Sequence, residues 1–167
     1  MKVGIVVLTN GDGDQFSVGD YHKNSINDAS SKSQFLSLSE ALQKSLLNAL
    51  NLTNQNFHDV MFLSYPDGML NEMYFAAEHV VHRNFFTGIT ETYSAAVQDY
   101  NSAINGHSAV YSRHNLMSNL VEIISQKNRN QYLSLIRRML IVITKRRIDL
   151  LVMLRLKQDI RTFYSLI

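Results

Sequence analysis

The chain has 167 residues, 46% of them apolar, no cysteine and a formal net charge of +2. That is enough chain and enough apolar content for one ordinary domain with a core, and the lack of cysteine excludes a disulfide framework, a thiolate zinc site and a cysteine nucleophile. The charge is polarised: ten of the 16 Lys and Arg residues lie in 127–167 beside two aspartates, which leaves that segment at +8 and residues 1–126 at −6. Such asymmetry is a statement about partners.

Residues 3–8 are a short β-branched run ending in a Gly-Asp cluster, which predicts a buried strand. The Gly-, Asp-, Ser- and Asn-rich stretch 9–33 that follows predicts a long loop. Ser37 and Glu40 have the S-x-x-E spacing of a capping box ahead of Leu42, Leu46, Leu47 and Leu50, so an amphipathic helix is expected there. A second strand is expected over 60–63, closed by a turn at Tyr65-Pro66-Asp67-Gly68. Strand, helix, strand in that order predicts a small α/β unit with parallel strands.

From residue 69 the apolar period becomes helical. One helix is expected over 69–86, with a break at Thr87-Gly88. Ile89, Tyr93, Ala96, Val97, Tyr100, Ala103, Ile104, His107, Tyr111, His114, Met117, Val121 and Ile124 then continue at three- and four-residue spacings, predicting one long helix. After the polar break at 128–130, a last helix is expected over about 131–164, antiparallel to the one before it. At 1.5 Å per residue it is roughly 50 Å long, against a radius of gyration of about 15 Å for a compact chain of this size, so the hairpin should project. The expected fold class is therefore α+β: a small N-terminal α/β lobe over 1–86, then a long antiparallel helical hairpin or bundle over 87–167. The alternative for the last segment is a β-hairpin with strands at 140–144 and 148–154, although Lys-Arg-Arg is poor turn chemistry.

Several clusters invite a chemical reading. Asn10, Asp12 and Asp14 alternate as the first oxygen ligands of a calcium loop do, but Gln15 and Tyr21 stand where that loop needs glycine and a bidentate glutamate. A solvated acidic turn is the preferred reading. The same segment lacks the Gly-Lys-Ser/Thr of a phosphate loop, and no cation is placed beside Asp12 to make it a nucleophile. Glu78, His79 and His82 form the most metal-like group, since residues three and four apart share a helix face. They would need a third ligand such as Glu72 or His58, and an exposed polar face is the plainer reading. His107 and His114 are expected as interface or core histidines. No Gly-x-Ser-x-Gly elbow supports a hydrolase triad.

The functional expectation is a non-enzymatic assembly or interaction protein whose C-terminal hairpin self-associates or docks on a helical partner. The residues expected to carry it are Leu140, Ile143, Leu151 and Leu154, with Lys145, Arg146 and Arg147 beside them. Helix 139–154 is apolar all round and wants burial on several sides, while its basic side chains reach past it to solvent. Nucleic-acid binding through 127–161 is the alternative, because phosphate neutralisation needs only accessible Lys and Arg; a metal-assisted enzyme using Asp12 and Asp14 or His79 and His82 is the third. No catalytic residue, cofactor or metal ligand is assigned. No secretory leader or transmembrane segment is expected, since Lys145-Arg146-Arg147 interrupts the longest apolar run, and the compartment is left open.

Overall fold

The computed structural model describes residues 4–22, 31–52, 59–126 and 140–142. Strand β1 (Gly4–Thr9) leads through helices α1 (Gln15–His22) and α2 (Lys32–Leu52) to strand β2 (Asp59–Tyr65). Helices α3 (Leu70–Phe75), α4 (Tyr100–Asn105) and α5 (Arg113–Gln126) follow, and then strand β3 (Leu140–Val142). The sheet has the order β2-β1-β3, with both pairs parallel.

β1 is central and buried on both faces, which is why its sequence is a continuous apolar run. The two-residue period of a strand sends alternate side chains to opposite faces. Val6 and Leu8 join Leu63, Tyr65, Leu70, Met73, Tyr111, Leu116, Leu120 and Ile123 under α3 and α5. Ile5, Val7 and Phe62 pack on the other side with Leu46, Leu47 and Leu50 of α2. A third cluster, Val18, Phe35 and Leu38, joins α1 to α2, and Phe86 stacks on Phe35 with ring centroids 4.7 Å apart. The main core draws on residues from both sides of position 86.

The long helical hairpin is overturned. What reads as one helix over 89–124 is extended chain followed by α4 and α5, and Glu91 forms an antiparallel bridge with Val110. Local hydrogen bonds cut the apolar period into short pieces. Buried Asp99 caps α4 by accepting from the Asn101 and Ser102 N–H groups, and it also accepts from the Thr92 and Ser94 hydroxyls. Gly106, at φ 75°, ends that helix in the left-handed conformation glycine tolerates. Ser112 Oγ then accepts from Asn115 N–H at 3.2 Å to open α5. The helix expected over 69–86 stops at Phe75, where Ala76 turns extended. Of the expected last helix only 140–142 are described, and they add to β1 as a strand; the second strand of the alternative β-hairpin lies outside the described residues.

Two local signals were also misplaced. The loop expected over 9–33 contains α1, because Asp14 accepts from the Phe16 and Ser17 N–H groups as an N-cap. α2 opens not at Ser37 and Glu40 but at Ser31 and Gln34, whose Oε1 accepts from Ser31 N–H at 2.7 Å as in one half of a capping box. Ser37 instead contacts His22 Nε2 at 2.8 Å, and Glu40 pairs with Lys44.

Two glycines test the packing in opposite directions. A Cβ on Gly13 would lie 2.4 Å from the Asp67 carbonyl oxygen, whereas one on Gly19, inside α1, meets nothing within 4 Å. Gly13→Ala should therefore lower stability in urea by about 2 kcal/mol or more through overpacking, and Gly19→Ala should raise it by about 0.5–1 kcal/mol through helix propensity. Equal effects of the two substitutions would contradict this packing.

Candidate functional site

The parallel pair β1 and β2 delivers its two following turns to one place, the carboxyl edge of the sheet. After Thr9 the chain passes through Asn10-Gly11-Asp12-Gly13, with Gly11 at φ 76° and Gly13 pressed against the Asp67 carbonyl. This sets Asp12, fully buried, beneath the turn that follows β2. Asp12 Oδ1 accepts from Asp67 N–H at 2.9 Å and Oδ2 from the Tyr93 hydroxyl at 3.1 Å. The Tyr93 hydroxyl is also 3.1 Å from Ser39 Oγ, which in turn donates to the Phe35 carbonyl. Beside them Asn10 Oδ1 accepts from Gln43 Nε2 at 2.8 Å and from the Ser64 hydroxyl at 3.1 Å. Gln43 Oε1 accepts from the Ala96 and Val97 N–H groups, tying the segment that carries Tyr93 to α2.

Ser64 reaches Asn10 because the register of β1 against β2 slips between Val7 and Thr9. The slip leaves Ser64 at φ 58°, a conformation uncommon for a side chain other than glycine. Irregularities of this kind re-aim side chains at functional edges of sheets. Thr9 adds a hydroxyl to Asp67 Oδ1 at 3.3 Å.

Burial pushes the Asp12 carboxyl up to about 6, helped by the nearby Asp67 charge and opposed by the Asp67 N–H and Tyr93 hydroxyl bonds. Burial likewise raises Tyr93, with the Asp12 charge adding to it. The hydroxyl of Tyr93 has one proton for two neighbours. When Asp12 is ionised that proton serves the carboxylate, and the contact with Ser39 has none, since the Ser39 proton goes to Phe35. When Asp12 is protonated, the run from Asp12 through Tyr93 and Ser39 to Phe35 has one proton per link. The run from Asp12 to the Phe35 carbonyl is therefore fully hydrogen-bonded only when Asp12 carries a proton.

Asn10, Asp12 and Asp14 do not converge on a cation. Asp14 caps α1, while Asn10 and Asp12 are buried with their side-chain oxygens bonded to protein donors, so the solvated acidic turn is also corrected. The Glu78, His79 and His82 group divides: the His82 side chain is buried, with Nδ1 3.5 Å from Glu72, and its backbone N–H donates to the Tyr111 carbonyl. Glu78 and His79 stay exposed and are joined by His114, the three ligand atoms lying within 4.8 Å of one another. His114 is thus not a core histidine, and His107 is exposed as well. His58 lies outside the described residues. So do Ile143, Lys145, Arg146, Arg147, Leu151 and Leu154, whereas the backbone of Leu140 begins β3. Among the described residues no helix is long and apolar enough to cross a membrane.

No family model, curated protein or solved structure matches this chain. Tyr93, Ser39, Gln43 and Asp67 are site residues that the sequence does not mark as such: it placed Tyr93 on an apolar helix face and Asp67 in a turn. Ser39 and Gln43 did leave a trace: two polar residues four apart inside a leucine-rich helix share one face, and a polar pair on a face that packs inward marks a buried partner. Tyr93 left none, since its partner Asp12 is 81 positions away.

The raised Asp12 carboxyl has a definite stability signature. In the unfolded chain it titrates near its ordinary value of 3.8, so the native state holds the proton between about pH 4 and 6 where the unfolded state does not. Above pH 6 both states are ionised, and the buried charge costs about 3 kcal/mol; that cost disappears as pH falls from 6 to 4. Asp12→Asn keeps an acceptor for Asp67 N–H and a donor for Tyr93. Urea unfolding should show it as stable as the parent chain or more so at pH 7.5, with the advantage shrinking by about 2–3 kcal/mol on acidification to pH 4. A constant difference across that range would place the Asp12 carboxyl in solvent.

Proposed function

We propose that this chain binds a small polar molecule at the carboxyl edge of β1 and β2, with Asp12 as the group that takes or gives a proton. The observation that carries the reading is the meeting there of a sealed carboxyl at about 6 with the Tyr93 and Ser39 hydroxyls. In open α/β sheets, ligands bind outside the carboxyl ends of the strands. An acid or base works best when its pKa lies near the working pH, and the environment of Asp12 moves it toward that point. Tyr93 is only half-buried, so its hydroxyl is the replaceable partner. A ligand hydroxyl or amine donating to Asp12 Oδ2 would take its place, which makes polyols and amino alcohols the expected class.

The test is a binding screen of glycerol, glucose and ethanolamine derivatives followed by amide chemical shifts. Bound compounds should perturb Gly13 and Asp67, and Asp12→Ala should weaken them at least tenfold, the loss of about 1.4 kcal/mol or more that a hydrogen bond to a charged group represents. Tyr93→Phe should retain or improve binding, because it removes the competing hydroxyl. Compounds that bind elsewhere, or equally well to Asp12→Ala, would remove this edge as the site.

Self-association is kept as a second reading, without the helical hairpin as its means. It is favoured by Phe75, Val80, Val81 and Phe85, which stand 58%, 46%, 54% and 86% exposed along one short stretch. Clustered exposed apolar groups mark interaction surfaces. Sedimentation of the full chain at low micromolar concentration should show a dimer or larger species that Phe85→Glu reduces to monomer; a monomeric parent chain would dismiss this reading.

A further inference from the structure

We infer that Glu78, His79 and His114 form a binding site for one divalent transition-metal ion of the zinc class, separate from the Asp12 edge. Two imidazoles and one carboxylate supply their ligand atoms within 4.8 Å of one another, and all three side chains are exposed. Two ligands about 2.1 Å from one ion at the tetrahedral angle lie about 3.4 Å apart. The donors must therefore close by at most about 1.4 Å, a distance that exposed side chains cover by rotation alone. The two imidazole rings are already neighbours, with centroids 4.8 Å apart and planes tilted by 44°.

The backbone holds this arrangement in place. Glu78 and His79 come from the turn after α3, where Val80 N–H bonds the Ala77 carbonyl, and His114 comes from the first turn of α5. The two segments are joined directly, His114 N–H donating to the Glu78 carbonyl at 2.9 Å and His82 N–H to the Tyr111 carbonyl at 2.8 Å. Behind them Tyr111 and Leu116 are fully buried and His82 nearly so. The neighbouring Arg113 guanidinium lies over the Tyr74 ring, 5.2 Å from its centre. The double attachment fixes the distance between the two backbone segments, so that only side-chain rotation is left to complete the site.

The donor set selects the ion. Imidazole nitrogen suits zinc, copper, nickel and iron, whereas calcium and magnesium require six or more oxygens. Three protein ligands leave a coordination position for water, the arrangement of open rather than closed zinc sites. Sequence spacing pointed to His79 and His82 on one helix; the fold removes His82 to the interior and substitutes His114 from 35 positions later.

The test uses the full chain, stripped with chelator and titrated with zinc chloride at pH 7.5 in excess magnesium. One ion should bind with a dissociation constant of about 10 μM or tighter. Without any variant, zinc should shift the side-chain NMR signals of two of the six histidines and leave the other four. His79→Ala and His114→Ala should each weaken binding at least tenfold, since even outer partners of a ligand are worth about 10–100-fold, and Glu78→Gln should weaken it as well. His107→Ala should change nothing. Binding weaker than about 100 μM, zinc shifts at other histidines, or full binding by the His79→Ala/His114→Ala double variant would each overturn the site.

Discussion

The structure depends on the burial of β1 on both faces while parallel neighbours occupy both of its edges. Ile5, Val6, Val7 and Leu8 are all within 7% of complete burial. At about 1.5–3 kcal/mol per fully buried aliphatic side chain, four of them contribute roughly 6–12 kcal/mol, an upper bound given residual burial in the unfolded chain. That is roughly two to four times the cost of about 3 kcal/mol of keeping Asp12 ionised. The strand can therefore end in a polar, desolvated turn without losing its place.

That turn is held by reciprocal commitments between distant segments. Asp12 accepts from Asp67 N–H, Asn10 accepts from Ser64, and Gln43 of α2 bonds both Asn10 and the backbone of 96–97. A buried polar group is tolerated when its hydrogen bonds are made and costly when they are not. Asp12 has a donor on each oxygen, one of them the hydroxyl of half-buried Tyr93. The other is a backbone N–H of the turn that follows β2. The two oxygens are thus held by different kinds of donor, one from the backbone and one from a side chain.

The metal-like group is organised differently. Its three side chains are exposed and owe their proximity to backbone hydrogen bonds between the turn after α3 and the start of α5. The interior beneath, built on Tyr111 and Leu116, fixes the distance between the two attachment points. The side chains themselves keep rotational freedom. Charge at the Asp12 edge is adjusted by burial, and donor geometry at Glu78, His79 and His114 by attachment.

Much of the N-terminal half was legible in the sequence because its signals are local. β1 and β2 announce themselves as short apolar runs closed by turn residues, and the leucines of α2 keep a helical period. The segment from Ile89 to Ile124 was misread because an apolar period records which residues prefer burial, not which element buries them. Tyr100, Tyr111, Leu116 and Leu120 do reach one core, but from separate pieces. Asp99, Gly106 and Ser112 interrupt the chain through contacts a few residues long, and such contacts outweigh periodicity because each satisfies backbone groups that a continued helix would have had to satisfy itself. The sequence by itself determined β1 and β2, the turn after β2 and the polar content of the edge. Only the tertiary structure decided that Tyr93 meets Asp12 and that His114 meets His79, since pairings across 81 and 35 positions depend on how the helices fold back over the sheet, and that information resides in packing and not in local spacing.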